Sequence, residues 1–115
     1  MEITRGDNKT FKFQRKDSAG AVIKYPASEV FFTVKYTYNH TTFVIQKKLS
    51  EGTIVFSDSD FYYRFEILPT DTDTLTYGDY VYDIERIYLG KKLTIAKGIF
   101  AIKEEATFAS NEVEV

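Results

Sequence analysis

Two short acidic motifs contain the kinds of ligand that bind calcium. Asp58-Ser59-Asp60 and Asp71-Thr72-Asp73 present carboxylate and hydroxyl oxygens, which hard divalent cations prefer. Neither motif has the glycine and the distal bidentate glutamate of an EF-hand loop. Aspartate and serine are also frequent turn formers, because their side chains accept hydrogen bonds from nearby backbone N–H groups. We therefore interpret both motifs as turns and predict no metal-binding residues.

The residues that usually perform acid–base or nucleophilic catalysis are scarce in this chain. His40 is the only histidine, and the chain has no cysteine. One imidazole cannot form a two-histidine metal site, and no motif places a serine beside it. Glu104 and Glu105 are adjacent, so in a strand their side chains point to opposite faces and cannot act as an acid–base pair. We predict a solvated His40 and a non-enzymatic protein with no catalytic residues and no cofactor.

Arg5-Gly6-Asp7 and a group of aromatic residues could recognise a partner. The tripeptide matches the sequence that animal integrins bind, but matches of three residues often arise by chance. Its glycine and aspartate can also turn one short strand into the next, and we favour that interpretation. Tyr36 and Tyr38, near Phe43, share one face of a strand and could stack on a sugar. Core packing is the commoner use of such residues, so we predict packing.

The charge pattern argues against several classes of partner. Lys47-Lys48 and Lys91-Lys92 have no interleaved aromatic residues, so we interpret them as solubilising residues that protect sheet edges. The formal net charge of -2 argues against nucleic acid or an anionic membrane as the main partner. No apolar run is long enough to span a bilayer, and residues 1–7 lack the apolar core of a signal peptide. We expect synthesis in a cytoplasm without signal-dependent export.

Strands must position all of these residues, because apolar and polar residues alternate with period two along most of the chain. The 115 residues include 43% hydrophobic and 17% aromatic residues, which is enough for one packed core. Turn signals recur roughly every 8–12 residues, which is typical of sandwiches and barrels. We predict an all-β fold, an antiparallel immunoglobulin-like β-sandwich of about seven to eight strands. We assign residues 1–108 to this domain and residues 109–115 to a short acidic C-terminal tail.

The alternation also predicts the core and the last hairpin. The predicted core residues are Phe32, Val34, Phe65, Tyr82, Ile84, Phe100 and Ile102. The hairpin is predicted to turn at Gly90-Lys91-Lys92, and residues 69–75, which begin with proline, are predicted to form one helical turn before it. Tyr80, or alternatively Tyr82, is placed to bond back to this link, as the corner tyrosine of immunoglobulin-like sandwiches does. Both could instead be ordinary core and edge aromatics.

A set of structural residues spans nearly the whole chain and carries a family resemblance. The set comprises Ile3, Arg5-Gly6-Asp7, Phe11-Lys12-Phe13, Asp17, Gly20, Val30-Phe31-Phe32-Thr33-Val34-Lys35, Leu75, Tyr77-Gly78, Tyr80-Val81-Tyr82-Asp83-Ile84, Gly90, Gly98, Phe100 and Ile102. This pattern resembles the immunoglobulin-like modules of tailed-phage virion proteins, such as the N-terminal module of baseplate upper proteins. The resemblance implies a structural tail or baseplate component, located in the virion of a phage or encoded by a prophage.

Two other classes of function stay open beside the phage module. One is a bacterial surface module of the same architecture that binds a glycan or a protein, although such a module would normally carry an export signal. The other is an enzyme, against which the missing nucleophile, metal and cofactor motifs argue. For the phage module, the expected partners are other virion proteins or further copies of the chain.

Sheet edges are the predicted sites of such contacts, because an edge strand has unpaired N–H and C=O groups that can accept another strand. Residues 2–5 and 103–108 are short, β-prone and not locked between two turns, so we predict that they form edge or exchange elements. The acidic and apolar residues 112–115 are predicted to be able to add a strand to a neighbouring molecule.

Overall fold

The computed structural model describes residues 1–104 and 112–115, which contain nine strands and one short helix. The elements are β1 Glu2–Thr4, β2 Lys9–Phe13, β3 Glu29–Lys35, β4 Ile45–Lys48, β5 Ile54–Phe56, β6 Tyr63–Ile67, α1 Pro69–Thr72, β7 Gly78–Tyr88, β8 Lys91–Lys103 and β9 Val113–Glu114. Within these residues, no helix has the length and apolar composition needed to cross a membrane.

The strands form two sheets that pack as a sandwich. The five-stranded sheet has the order β1-β8-β7-β3-β4, and the four-stranded sheet has the order β5-β6-β2-β9. Strands β5-β6-β2 and β8-β7-β3-β4 reproduce the D-E-B and G-F-C-C′ orders of immunoglobulin sandwiches. The predicted all-β sandwich is therefore confirmed.

The sheets are mixed, so the prediction of a purely antiparallel sandwich is wrong. The terminal strand β1 pairs with β8 in parallel, and β9 pairs with β2 in parallel. Parallel partners need a long connection between them. Local alternation and turn residues reveal hairpins, but they do not reveal such distant pairs. The sequence pattern therefore predicted the antiparallel strands and missed the orientation of both chain ends.

The core lies between the sheets and is rich in aromatic residues. All seven predicted core residues are buried. Phe32 of the five-stranded sheet stacks on Phe65 of the four-stranded sheet, with ring centroids 4.3 Å apart. Phe13 and Tyr63, neighbours on β2 and β6, stack with their centroids 5.0 Å apart. Aromatic pairs of this kind contribute roughly 0.5–1.5 kcal/mol beyond the burial of their area, and the Phe32–Phe65 pair joins the two layers.

The corner between β6 and β7 confirms two predictions. Residues 69–72 form the short helix α1, which begins with Pro69. The Tyr80 hydroxyl donates to the carbonyl oxygen of Thr76 at 2.9 Å, which is the bond of a tyrosine corner. Tyr82 lies two residues later, where antibody domains place a cysteine. Here its buried ring lies 5.9 Å from that of Phe32, so aromatic packing occupies a position that a disulfide holds in antibody domains.

The predicted edge elements are confirmed only in part. Residues 2–4 form the edge strand β1 of the five-stranded sheet, as predicted. Residues 113–114 form β9, which extends the sheet of their own molecule in this structure. The prediction for residues 103–108 falls mostly outside the described residues, since only positions 103 and 104 are included.

The last hairpin turns one residue earlier than predicted. Lys91 and Lys92 already belong to β8, and Leu89-Gly90 form the two-residue turn. Both turn residues have positive φ angles, 50° for Leu89 and 77° for Gly90, as a type I′ turn requires. Leucine is an unusual residue in this conformation, because its side chain is crowded there. Gly90 was therefore correctly predicted to be a turn residue, but it is the second residue of the turn and not the first.

Candidate functional site

The first acidic motif binds an arginine. Asp60 accepts two hydrogen bonds from the Arg64 guanidinium, at 3.1 Å and 2.6 Å, and one from the backbone N–H of Tyr62. The hydrogen bonds from Arg64 hold the pKa of the Asp60 carboxyl well below its usual range. Arg64 also pairs with Glu112, just before β9. The motif therefore forms a turn, as predicted, and its second carboxylate helps to attach the C-terminal strand.

The second acidic motif closes the corner around α1. Asp71 accepts a hydrogen bond from the Lys47 ammonium at 2.7 Å and another from the backbone N–H of Leu68 at 2.7 Å. Thr72 is fully buried, and its hydroxyl accepts the backbone N–H of Gly6 at 2.9 Å. Residues 1–104 and 112–115 contain no group of three or more histidine, aspartate or glutamate side chains that could hold a metal ion.

The position of Lys47 shows that the prediction of a purely solubilising role for Lys47-Lys48 is wrong. Its side chain is buried, because it points to the same inner face of β4 as Ile45. The ammonium pairs with the Asp71 carboxylate of α1 at 2.7 Å. Such an inward-pointing charge protects an edge strand from pairing with other chains, so the edge function remains while the solvent-exposed placement was wrong.

Arg5-Gly6-Asp7 forms a turn, as predicted. Gly6 has a φ of +88°, and the N–H of Asp7 donates to the carbonyl oxygen of Thr4 at 3.0 Å. Arg5 packs over the ring of Tyr77, 4.2 Å from its centroid, and donates to the Tyr77 hydroxyl at 2.9 Å. It also donates to the carbonyl oxygen of Leu75. The arginine thus stabilises the β6–β7 corner, a contact that sequence reasoning missed because seventy residues separate its two sides.

The aromatic residues after β3 are exposed, so the prediction that they pack in the core is wrong. Tyr36 is 51% exposed and Tyr38 is 48% exposed, because β3 ends at Lys35 and the strand alternation ends with it. The Tyr38 hydroxyl donates to the carbonyl oxygen of Gly98 at 3.2 Å. His40 is exposed, as predicted, with its Nδ1 2.9 Å from the Thr37 hydroxyl.

Asp83 is a polar residue that sequence reasoning did not single out. It lies on the outer face of the five-stranded sheet, opposite Thr33 on one side and Lys97 on the other. Its Oδ1 is buried and has no hydrogen-bond partner among residues 1–104 and 112–115. Burial, reinforced by the nearby Glu85, raises the pKa of the Asp83 carboxyl. No signal in the sequence distinguishes Asp83 from the other charged residues that alternate along β7.

The edge strand β5 presents an exposed apolar side chain beside an open groove. Val55 at its centre is 58% exposed. Beside the strand lies an open groove of about 700 Å³, whose lining combines the apolar Tyr25, Pro26, Leu49 and Phe56 with the charged Lys24 and Asp58. The sequence does carry one signal for this site: residues 52–57 contain no charged residue. Only the sheet order shows that this uncharged run lies at an edge.

Comparison with known proteins identified no relative of this chain. It matches no protein-family model, no curated protein and no solved structure. What the protein does must therefore be inferred from its own residues and contacts.

Proposed function

We propose that this protein is a non-enzymatic structural module of a tailed phage or prophage. In this proposal it is a tail or baseplate component that acts through contacts with other virion proteins or with copies of itself. The observation that carries the proposal is the β6–β7 corner, where separate motifs of the resemblance meet. Arg5 binds Tyr77 and the Leu75 carbonyl, and Tyr80 closes the same corner through Thr76.

One carboxylate of each acidic motif already pairs with a basic side chain of the same molecule, which supports a structural role. Asp60 and Asp71 are the motif carboxylates with the most contacts, and they bind Arg64 and Lys47. A carboxylate that is already held by a cation stabilises the fold rather than serving as a free general base. Exposed edges and aromatic side chains, in contrast, offer surfaces of the kind that protein partners use.

The composition of purified phage particles tests the proposal. Particles are induced from the strain that encodes the chain, purified by density, and quantified by mass spectrometry. We expect the chain in the particles at a fixed ratio to the tail proteins, and we expect deletion of its gene to reduce the yield of complete tails. A matched deletion of a non-virion gene from the same prophage serves as the control. A chain found only in the cell envelope, with normal particles after deletion, contradicts the proposal.

A bacterial surface module that binds a glycan or a protein is the second candidate, and one observation favours its glycan form. Tyr36 and Phe43 are 51% and 54% exposed near the same end of β3. Aromatic faces of this kind can stack on sugar rings. Calorimetric titration with cell-wall oligosaccharides of the host tests it, and Tyr36→Ala should then abolish the heat of binding. Tyr88→Ala, at a site that is 43% exposed on the hairpin, is the matched control.

A further inference from the structure

The four edge strands of the described sheets differ in their protection against pairing. Strands β1, β4 and β9 are edges that carry charged residues, respectively Glu2, Lys47-Lys48 and Glu114. Charged side chains are a common means by which edge strands avoid pairing with other chains. Strand β5, the fourth edge, consists of Ile54, Val55 and Phe56 and has no charge. It is therefore the edge least protected against a second strand.

The hydrogen-bond pattern fixes which backbone groups of β5 are free. The Ser57 N–H donates to the Tyr62 carbonyl oxygen at 2.9 Å, so this pair is hydrogen-bonded across β5 and β6. Such pairs alternate with non-bonded pairs in antiparallel sheets, so Val55 bonds to Arg64 while Ile54 and Phe56 direct their N–H and C=O groups away from β6. The free groups of the strand are therefore arranged symmetrically about Val55.

We propose that β5 pairs antiparallel with β5 of a second copy of this chain, about a two-fold axis through Val55. Ile54 of one copy then lies opposite Phe56 of the other, and each such pair exchanges two backbone hydrogen bonds. Val55 meets its symmetry mate in a close, non-bonded pair on the outer sheet surface. We choose a second copy as the partner because the same uncharged strand can supply both halves of an isologous contact.

The surroundings of β5 are compatible with this contact. The groove of about 700 Å³ beside the strand gives an incoming strand room, and the two charged side chains in its lining, Lys24 and Asp58, have opposite signs. The apolar side chains that line it, including Tyr25 and Leu49, lose contact with water when a second copy covers them. Because no charge lies within residues 52–57, the two-fold contact brings no like charges of the strand together.

The contact deepens the proposed function, and it rests only on the part that assigns the module to protein–protein assembly. If particles contain the chain but β5 does not pair, the phage proposal stands and this inference fails. If β5 pairs in a chain that is absent from particles, this inference stands and the phage proposal fails. The two experiments therefore have separate outcomes.

Single cysteines test both the contact and its register, because the chain has no cysteine of its own. In the paired form the two copies of Val55 are about 4.5 Å apart between Cα atoms, which is within the range of a disulfide. We expect Val55→Cys to form a covalent dimer rapidly under mild oxidation. Ser57 lies opposite Thr53 of the second copy, so its own mate is roughly 13 Å away along the strand, and Ser57→Cys should not cross-link.

Sedimentation equilibrium measures the same contact without oxidation. We expect the unmodified chain to dimerise, and we expect Val55→Lys to raise the dissociation constant roughly tenfold or more, because two ammonium groups would meet at the axis. Ile99→Lys is the matched control, since Ile99 is a β-branched strand residue that is 51% exposed on the other sheet. It should leave the dissociation constant unchanged, and circular dichroism should show that both variants fold.

Three outcomes overturn the inference. A chain that remains monomeric at the highest soluble concentration has no such contact. Cross-linking of Ser57→Cys at a rate equal to that of Val55→Cys contradicts the register. A dimer that Ile99→Lys weakens and Val55→Lys leaves intact assigns the interface to the outer face of the five-stranded sheet instead.

Discussion

The two edges of the four-stranded sheet are protected in opposite ways. At the β9 edge, Arg64 pairs with Glu112, the Tyr62 hydroxyl donates to Glu114 at 3.1 Å, and the Val115 N–H donates to the Lys12 carbonyl oxygen. This edge is covered by the chain's own acidic C-terminal residues. At the β5 edge no charge is present, and Val55 faces solvent. The difference indicates that the ionic contacts at the β9 edge leave the β5 edge as the side of this sheet that is open to a partner strand.

The largest loss of stability is expected from a substitution in β6, which lies inside the four-stranded sheet between its two edge strands. Phe65 lies at the centre of β6, between β5 and β2, and its ring stacks on Phe32 across the core. We expect Phe65→Ala to lower the free energy of unfolding by about 3–5 kcal/mol, because it leaves a cavity among aromatic rings. Chemical denaturation provides the measurement. Phe43→Ala, at a site that is 54% exposed, should cost less than about 0.5 kcal/mol.

A loss below about 1 kcal/mol for Phe65→Ala would contradict the described core, because the burial of an aromatic ring contributes more than this. If the variant instead unfolds completely at room temperature, the neighbouring substitution Ile67→Val provides a milder test. Ile67 is also fully buried on β6, and this change should cost about 0.5–1.5 kcal/mol.

A smaller effect is expected at the charged β4 edge, which contrasts with β5 on the other sheet. Lys47 is buried, and its ammonium depends on Asp71. We expect Asp71→Ala to lower the free energy of unfolding by about 2–3 kcal/mol, because it leaves a buried ammonium without its carboxylate partner. Replacing the lysine as well, in the double variant Lys47→Met with Asp71→Ala, should recover the part of this loss that comes from the unpaired ammonium, while the loss of the hydrogen bond from the Leu68 N–H remains.

A double-mutant cycle gives the coupling of this pair directly. Asp73→Ala is the matched control, because Asp73 is an exposed aspartate that directly follows the same helix. It should change stability by less than about 0.5 kcal/mol. Equal losses for Asp71→Ala and Asp73→Ala, or no recovery in the double variant, would show that the buried ion pair does not stabilise this edge.

The sequence was sufficient for the local parts of this fold and insufficient for the long-range ones. Alternation identified the core side chains, and Tyr80 was the first of two candidates for a corner bond that joins residues only four positions apart. The parallel terminal strands, and the contact of Arg5 with Tyr77, depend on segments that are distant in the chain. Neither alternation nor turn residues contain that information.

The candidate surfaces show the same limit. Lys47 is in phase with the buried Ile45, so the alternation did indicate an inward position, but its ammonium becomes tolerable only through Asp71 on a different element. Tyr36 and Tyr38 continue the phase of β3 but lie beyond its end, which alternation could not locate. The uncharged residues 52–57 were visible in the sequence, yet only the sheet order makes them an exposed edge.

The smallest expected effect is a difference in how the two edges of the four-stranded sheet respond to a change of pH. Asp60 holds the Arg64 guanidinium, which in turn pairs with Glu112 before β9. The hydrogen bonds from Arg64 keep the pKa of the Asp60 carboxyl below its ordinary value of 3.8. Because the folded pKa is the lower one, the stabilisation is present above the unfolded pKa and is lost as the pH falls through the folded pKa.

Acidification should therefore loosen β9 before it affects β5, whose residues 52–57 contain no ionisable side chain. We expect the NMR amide resonances of Val113 and Val115 to move toward disordered values as the pH falls below about 4, while those of Ile54 and Phe56 stay in place. Asp60→Asn should shift the first pair toward the acid positions already at neutral pH, because Arg64 has then lost one carboxylate partner. Equal movement at both edges would mean that acid acts on the whole sandwich, and the ionic protection of β9 would then not distinguish it from β5.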